Sequence, residues 1–516
     1  MEGSNTFKAA FIIVVLSVFS KVFGLFRDVA LAGVFGASFE TDAYLIATLI
    51  PNLLFASVGA AIVTTFIPLY SELDENNDYR ERDTFVATFF KIILFISIFL
   101  ALIGVMFAPA IVSVMAPGFT GEIRELTILL TRIMMPVIVF LGAGGVTKGI
   151  LNYNNDFHTP ASVGIFQNII IIFSIVALGS SFGIVGVTVG TLIGFSMNFW
   201  VLLPKLYKLR VPVLKGMDIS HPKIKKSLYL VLPILLGNAV IQINEMIDRM
   251  LASNLAEGSV SALNFASKVF ILPHGIFVLA IVTAVYPSMS KFANQHNYND
   301  LKRLLRQSLS AITFIILPIM ILTIFFREEV IFLLFERGQF DEHATNRTAI
   351  ALFFYSFGML AISLNEILKR TFYSKQDTRT PILVTVFTVA VNIILNLTFI
   401  GPLGHGGLAL ATSIAVFSGT LVLLWGLRRN IGPFGFYEYI ISLSKILTSA
   451  IFMGTWLYFG LFLIEGAFPE TFFGITGKVG FMSLIGFLIY GIVAKLLGSS
   501  ELNYLQGLIF RYLKRQ

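Results

Sequence analysis

The sequence predicts an all-α polytopic membrane protein with about fourteen transmembrane helices, and three observations support this fold class. Of the 516 residues, 56% are hydrophobic and only 13% are charged, whereas soluble domains carry about 25% charged residues. Apolar runs of about 20 residues, long enough to cross ~30 Å of hydrocarbon, recur from end to end without a polar domain between them. The ~10-residue alternating segments of a membrane β-barrel are not present in the sequence.

The apolar runs follow one another as expected for one continuous membrane domain. They cover residues 7–35, 42–70, 85–116, 125–152, 159–180, 184–204, 227–253, 260–288, 303–326, 344–373, 381–400, 405–427, 437–464 and 476–497. Many contain proline or glycine, which bundled membrane helices tolerate. The first run contains Lys21, Arg27 and Asp28 and no small-residue cleavage site, so it is predicted to be a helix and not a cleavable signal peptide.

The cations in the loops predict the orientation in the membrane. Loops after even-numbered helices are rich in lysine and arginine, whereas loops after odd-numbered helices hold few cations beyond Arg124, Arg327 and Arg337. Both termini are therefore expected in the cytoplasm. The same bias explains the net charge of +8, so no nucleic-acid partner is expected. The sequence has no cysteine, which excludes disulfides and thiolate metal sites.

The two halves of the chain repeat. Thr159–Pro160 matches Thr380–Pro381, and Gly183 matches Gly404, each about 220 residues further on. Six helices per half predict two lobes of the same orientation, related by an axis along the membrane normal. The predicted domains are an N-terminal six-helix lobe (1–204), a basic cytoplasmic linker (205–226), a C-terminal six-helix lobe (227–427), and two extra helices with a basic tail (428–516). This plan is typical of transporters, and a duplicated channel or scaffold is the alternative.

Charged residues within the apolar runs predict a functional cavity. Each costs about 2.5–3.5 kcal/mol at a helix centre on insertion scales. They concentrate in the first, seventh, eighth and tenth runs and are Lys21, Arg27, Asp28, Glu245, Asp248, Arg249, Lys268, Glu366, Lys369 and Arg370. For any single residue a structural ion pair is an equal alternative. The whole set predicts a hydrated, net cationic cavity, which suits anionic substrates and above all phosphate groups.

Motifs for other chemistry are absent from the sequence. It contains no G-x-x-x-x-G-K-[ST], so the chain is not expected to be its own ATPase. The glycine-rich stretch 142–145 lies inside an apolar run and predicts close helix packing. An enzyme acting on a lipid would be expected to carry a large catalytic loop outside the membrane, and the sequence has none. The chain is therefore predicted to be no enzyme.

Three stretches carry a resemblance to a known family. They are SKVFGLFRDVALAGVFG at 20–36, TDAYLIATLIPNLLF at 41–55 and GSVSALNFASKVFILPHGIF at 258–277. They resemble the MurJ/MviN lipid II flippases of the multidrug/oligosaccharidyl-lipid/polysaccharide exporter superfamily. The resemblance implies transfer of lipid II, the undecaprenyl-diphosphate-linked peptidoglycan precursor, from the inner to the outer leaflet of a bacterial cell membrane by alternating access. Membrane lipids and cell-wall synthesis proteins are the further partners expected. A flippase for another polyprenyl-linked glycan and a cation-coupled multidrug exporter are the alternatives.

The resemblance also implies the residues that bind the substrate. Arg27 with Asp28 matches the family's first-helix motif directly. Lys21 and Lys268 stand where the family usually has arginine, which keeps the charge and loses the bidentate fork. Asp42, in the second stretch, is also predicted to contact the substrate.

Two further regions bear on how the substrate would be held. Many members have an arginine pair and a glutamate in the second helix, where this chain has Phe55, Ala56, Ser57 and Val58. The resemblance implies that the two C-terminal helices form an apolar groove for the lipid tail. Aromatic stretches such as 456–459 and 472–473 suit that groove and suit ordinary lipid-facing surface equally.

A coupling sodium ion is the one cofactor that the resemblance implies. The residues at the matching positions are Asp248, Asn392, Asn396, Thr412 and Leu408, the last through its carbonyl. Asn392 and Asn396 share a helix face, and all five groups offer oxygen, which hard cations prefer. Asn396 stands where an acid is expected, so the site would have one carboxylate. The alternative is that the amides only pack helices and that Asp248 pairs with Arg249.

Overall fold

A computed structural model describes residues 2–75, 78–213, 216–433, 435–499 and 501. Every regular element in these residues is a helix, and none is a strand, which confirms the predicted all-α class. Within the same residues, eight helices are long and apolar enough to cross a membrane, or up to nine if a bent pair forms one span. The count of fourteen remains a prediction.

The chain divides into two compact units. Unit 1 comprises Met1–Ser261 and Arg337–Asp341, and unit 2 comprises Ala262–Glu336 and Glu342–Gln516. The six-helix lobes at 1–204 and 227–427 remain a prediction.

Unit 1 is built from helices α1 to α9 and the first residues of α10. Their bounds are α1 Glu2–Phe35, α2 Phe39–Glu75, α3 Tyr79–Met106, α4 Ala108–Met115, α5 Gly121–Met134, α6 Val137–Tyr153, α7 His158–Trp200, α8 Leu203–Lys208 and α9 Pro222–Ala252. The core joins α1, α2, α5 and α7 through buried side chains that include Leu31, Tyr44, Leu130 and Ile171. The hydroxyl groups of Tyr44 and Thr191 are 2.8 Å apart inside this core. The buried Tyr44 hydroxyl therefore has the hydrogen-bond partner that it needs.

Unit 2 continues from α10. The bounds are α10 Ser259–Pro273, a π-helical turn His274–Val278, α11 Leu279–Asn294, α12 Tyr298–Phe325, α13 Arg327–Phe335, α14 Glu342–Ser356, α15 Met359–Ser374, α16 Arg379–Ile431, α17 Phe436–Leu463 and α18 Phe472–Leu496. Its core packs α17 and α18 against α12, with Phe314, Met453, Met482 and Tyr490 buried among others. The hydroxyl of Tyr490 donates to the carbonyl of Phe314 over 2.9 Å. The two C-terminal helices are therefore an integral part of this unit.

The turns before α7 and α16 have the same construction. Asn155 and Gln376 adopt positive φ angles of 58° and 62°, and an aspartate follows each. Asp156 accepts the backbone N–H and the hydroxyl of Thr159, and Asp377 accepts those of Thr380. The prolines that follow occupy the first helical turn, where no N–H is needed. The turn around Thr159–Pro160 therefore recurs around Thr380–Pro381, and the repeat of the two whole lobes remains a prediction.

These hydrogen bonds also set the ionisation of the two aspartates. Burial acts to raise the pKa of Asp156, but the bonds from Thr159 and the charge of Lys205 outweigh it and the pKa is lowered. Burial likewise opposes the bonds from Thr380 at Asp377, and again the bonds prevail and the pKa falls. Both carboxyl groups are thus held in the charged form that accepts hydrogen bonds best.

Each of the two long helices is broken at one glycine. Gly183 in α7 has φ 57° and ψ −156°, and Gly404 in α16 has φ 54° and ψ −132°. A side chain disfavours this backbone region, so glycine is required. The breaks fall between the apolar runs predicted at 159–180 and 184–204, and between those at 381–400 and 405–427.

The glycines of α6 confirm the packing predicted from the stretch 142–145. A Cβ on Gly144 would overlap the carbonyl of Asn198 on α7, and a Cβ on Gly142 would overlap the hydroxyl of Ser97 on α3. At these two glycines α6 packs closely against α3 and α7, and only small residues allow helices to approach so closely.

Candidate functional site

Arg27 and Asp28 form an ion pair on α1. The Nε and Nη2 atoms of Arg27 donate to Oδ1 of Asp28 over 3.0 and 2.8 Å. The side chain of Asp28 is 4% exposed and that of Arg27 is 24% exposed. A charge this far from water requires a partner, and Asp28 and Arg27 supply it to each other while part of the Arg27 side chain stays exposed.

Asn168 on α7 is the third member of this group, and the sequence analysis missed it. Its side-chain oxygen accepts from Nη1 of Arg27 over 3.2 Å. The three bonds occupy three of the five N–H groups of the guanidinium, so two remain that no described residue occupies. The sequence carried one signal, since Gln167 and Asn168 are amides inside an apolar run, where polar side chains need partners.

The two predicted lysines belong to different units. Lys21 is exposed on α1, and six residues of helix place it about 9 Å along the axis from Arg27. Lys268 is half-buried on α10 and belongs to unit 2. That Lys21 and Lys268 line one cavity with Arg27 remains a prediction.

Asp42 has a structural partner that the sequence analysis did not foresee. Its side chain is buried and accepts the backbone N–H groups of Gly258 and Ser261 over 2.8 and 2.7 Å, together with the hydroxyl of Ser261. These donors lie at the N-terminus of α10, whose positive end favours a carboxylate. The carboxylate is therefore engaged by a helix terminus in this structure, and its contact with substrate remains a prediction.

Two other charged residues of the apolar runs, Glu366 and Arg370, form a local pair. Arg370 donates to Glu366 one turn earlier on α15 through Nε and Nη2, each over 3.0 Å. The guanidinium also lies over the ring of Tyr286 at 5.7 Å. These two residues therefore form a structural ion pair, which is the alternative to a role in a functional cavity.

Four of the five predicted sodium ligands meet at the break in α16. Asn396 donates to the side-chain oxygen of Asn392 over 3.0 Å, and Asn392 donates to the hydroxyl of Thr412 over 3.3 Å. Thr412 in turn donates to the carbonyl of Leu408 over 3.0 Å. The break at Gly404 brings the two halves of α16 together, so four buried or half-buried oxygens form one cluster. Such a donor set fits a hard cation.

Asp248, the fifth predicted ligand, lies on α9 in unit 1. It accepts from Nδ2 of Asn244 over 3.4 Å, and Nη1 of Arg249 donates to the carbonyl of Val260 over 3.3 Å. That Asp248 completes a site with the α16 cluster remains a prediction, as does the sodium ion itself. The described residues contain no group of three or more histidine, cysteine or acidic side chains that could hold a metal, but the predicted site is not of that kind.

The second-helix residues that depart from the family pattern are only partly described. Phe55 is buried, whereas the side chains at 56–58 lie outside the described part of the chain. Beside the two C-terminal helices, unit 2 contains a cavity of about 1410 Å³. Its wall combines the aromatic residues Tyr458, Phe459 and Phe462 with six glutamates and Lys478. The prediction of an apolar lipid-tail groove is not tested by this cavity.

The chain is similar to known proteins along most of its length. Residues 31–476 match the family model described as the lipid II flippase MurJ. The probable lipid II flippase MurJ of Buchnera aphidicola subsp. Schizaphis graminum is 28% identical over 508 residues, 97% of this chain and 98% of that protein. The lipid II flippase MurJ of Burkholderia cenocepacia is 29% identical over 435 residues, 83% of this chain and 84% of that protein.

Solved structures agree with these matches. A lipid II flippase MurJ in an inward closed conformation superimposes with a TM-score of 0.80 at 29% identity, over 97% of this chain and all of that one. An inward-facing multidrug resistance transporter of the MATE family superimposes with a TM-score of 0.64 at 18% identity, over 82% of this chain and 94% of that one. The second likeness concerns the fold alone.

Proposed function

This chain belongs to the MurJ family of lipid II flippases, and we propose that it transfers lipid II from the inner to the outer leaflet of a bacterial membrane. The observation that carries this function is the family match over residues 31–476, joined to a superposition over nearly the whole chain. The protein is a transporter, because the family to which it belongs is one of lipid flippases. Its action is movement of a lipid and not a chemical reaction.

The proposed headgroup site is centred on Arg27. Lipid II carries a diphosphate between its polyprenyl tail and its sugars, and guanidinium groups bind phosphate oxygens through paired N–H donors. The structure supports Arg27 because two of its N–H groups have no partner among the described residues while Asp28 and Asn168 hold the other three. Lys21 and Lys268 are proposed to add charge to the same site.

We further propose that transfer occurs by alternating access. Two like lobes around a central site can rock so that the site opens to one side and then to the other. The lobes would be residues 1–204 and 227–427, with the linker 205–226 and both termini in the cytoplasm. This division is supported by α7 and α16, because the same capped turn and the same glycine break occur once in each unit.

Sodium is proposed as the coupling ion. Asn392, Asn396, Thr412 and the carbonyl of Leu408 would hold it in unit 2, and Asp248 would supply the one negative charge. A hard monovalent cation fits neutral oxygens with a single carboxylate. In that arrangement the amides and the hydroxyl, which now bond one another, would turn their oxygens to the ion.

The direct test is replacement of the native flippase in a bacterial strain that depends on it. We expect this chain to restore growth, and lipid II to become accessible to a probe added from outside the cell. If the strain dies with lipid II trapped in the inner leaflet although the protein is present in the membrane, the proposed substrate is wrong. Rescue of a strain blocked in export of another polyprenyl-diphosphate glycan would then identify the alternative.

A further inference from the structure

Asn168 makes three hydrogen bonds that link two helices to one guanidinium. Its oxygen accepts from Arg27 over 3.2 Å, and its nitrogen donates to the carbonyls of Ser20 and Gly164 over 3.2 and 2.8 Å. An amide has an acceptor end and a donor end. Because Arg27 can only donate and the two carbonyls can only accept, the arrangement satisfies all partners in one orientation alone. Asn168 is 6% exposed, so water has little access to these bonds.

Small residues bring the two helices together at this point. A Cβ on Gly164 of α7 would overlap the hydroxyl of Ser20 on α1, and a Cβ on Gly24 of α1 would lie 3.7 Å from the amide nitrogen of Asn168. Close approach allows a side chain as short as asparagine to reach across to the backbone of α1. The result is that the distance between α7 and the guanidinium is fixed.

Asp28 and Asn168 act on Arg27 in different ways. Asp28 binds Nε and Nη2 and balances the positive charge. Asn168 binds Nη1 and carries no charge, so it orients the guanidinium without weakening its attraction for an anion. A carboxylate at this position would place two negative charges on one guanidinium, and the local field would no longer favour a diphosphate.

We propose that Asn168 is a positioning residue that holds the guanidinium of Arg27 in the orientation in which it receives the diphosphate of the lipid substrate. The proposal rests on the proposed function, since it concerns the same arginine. It adds a residue of the fifth predicted transmembrane segment to a site otherwise assigned to the first, second and eighth. Loss of Asn168 leaves the guanidinium held by Asp28 alone, so Nη1 is less well ordered, and the entropy of ordering it then opposes substrate binding.

The first measurement does not need the substrate. Full-length protein in nanodiscs is treated with phenylglyoxal, which modifies accessible guanidinium groups, and the modification of Arg27 is followed by peptide mass spectrometry. We expect Asn168→Leu and the milder Asn168→Ala to raise the rate at Arg27 several-fold. Asn198→Leu is the matched control, because Asn198 is a buried amide on the same helix that accepts from another cation, Lys148, over 2.9 Å.

The second measurement is the affinity for lipid II, determined by native mass spectrometry. We expect Asn168→Leu and Asn168→Asp to weaken binding about tenfold, the scale of one lost hydrogen bond to a charged group. In an Arg27→Gln background the same changes should have no further effect, whereas a general packing defect would weaken binding equally in both backgrounds.

Three outcomes would overturn the role of Asn168. They are an unchanged phenylglyoxal rate at Arg27, an equal rise in the Asn198→Leu control, and an equal loss of affinity in the Arg27→Gln background. Failure of the unaltered protein to bind lipid II would instead contradict the proposed function, and the phenylglyoxal comparison would still decide the role of Asn168.

Discussion

The α6–α7 region of unit 1 and the α15–α16 region of unit 2 share their backbone turns and differ in their polar side chains. Both turns place a left-handed residue before a capping aspartate, and both following helices break at a glycine. At positions about 220 residues apart, however, Asn168 of α7 corresponds to Val389 of α16, and Asn392 of α16 corresponds to Ile171 of α7.

The difference separates two kinds of constraint. A helix cap and a break with positive φ admit only a few residue types, so both copies contain aspartate at the cap and glycine at the break, although the left-handed residue of the turn is Asn155 in one and Gln376 in the other. A polar group inside a membrane helix costs free energy at any position, and the two copies have their buried amides at different positions. The first copy holds a guanidinium, and the second holds a cluster of neutral oxygens. The shared turns and breaks therefore belong to the backbone of the fold. The polar side chains that differ indicate where the two units have different functions.

The largest effect is expected from the guanidinium of the first copy. Arg27→Ala should abolish growth of a flippase-depleted strain while protein levels stay normal, because the proposed diphosphate contact is lost. Arg429→Ala is the control, since Arg429 is an exposed cation that lies over Trp425 at the end of α16. Growth supported by the Arg27→Ala variant would show that this arginine does not bind substrate.

The oxygen cluster of the second copy should control sodium dependence. Asn396→Ala removes one proposed ligand, and we expect the sodium concentration for half-maximal transport to rise about tenfold. The measurement is lipid II transfer in vesicles at constant ionic strength, with choline replacing sodium. Asn198→Ala in unit 1 should leave the sodium dependence unchanged. If the transport rate of the unaltered protein does not depend on the sodium concentration, the proposed sodium site is wrong.

The shared helix breaks should respond equally in both copies. Gly183→Ala and Gly404→Ala force a side chain into a backbone region that favours glycine, and each should cost about 1–3 kcal/mol of stability. Neither new methyl group would meet an atom within 4 Å, so the cost is confined to the backbone. Gly491→Ala in α18 also meets nothing within 4 Å but has no positive φ, and it should stabilise by up to about 1 kcal/mol. Thermal unfolding in detergent measures all three, and a large difference between Gly183 and Gly404 would contradict the equivalence.

The smallest effects are expected from the capped turns. Asp156→Ala and Asp377→Ala should each cost about 1 kcal/mol, the usual value of a side-chain cap. Both aspartates have a lowered pKa in the fold. Their stabilisation is therefore present above the pKa of the unfolded chain, about 4, and is lost as the pH falls through the lower pKa of the folded protein. Unfolding temperatures measured from pH 6 down to pH 3 should converge for variants and unaltered protein, and a constant difference would show that the charge is not involved.

Local features of the fold could be predicted from the sequence. Hydropathy located the apolar runs, and the pair Gly183 and Gly404 marked the breaks, because a helix break depends on residues next to it. The prediction was less successful inside a run. Residues 85–116 form two helices that separate at Phe107, just before Pro109, and 344–373 divides at 357–358. Apolar composition continues across such bends, so hydropathy alone does not detect them.

The site was predictable only where neighbours in sequence are neighbours in space. Arg27 and Asp28 are adjacent, and their pairing followed from the motif. Asn168 lies 141 residues from Arg27, and Ser261 lies 219 residues from Asp42. Such pairs depend on helix packing, which a single sequence does not specify. A buried amide in an apolar run indicates that a partner exists without indicating which one.

The π-helical turn at 274–278 allows a change in chain length without a change in fold. A π turn holds one residue more than an α turn, so it absorbs an insertion that would otherwise rotate everything after it by about 100°. Removal of one residue within His274–Val278 would convert the turn into ordinary α-helix and leave the faces of α10 and α11 where they are. The same deletion elsewhere between 259 and 294 would turn one face of the helix away from its neighbours. Descendants of this protein can therefore lose a residue at this turn more readily than at the positions on either side of it.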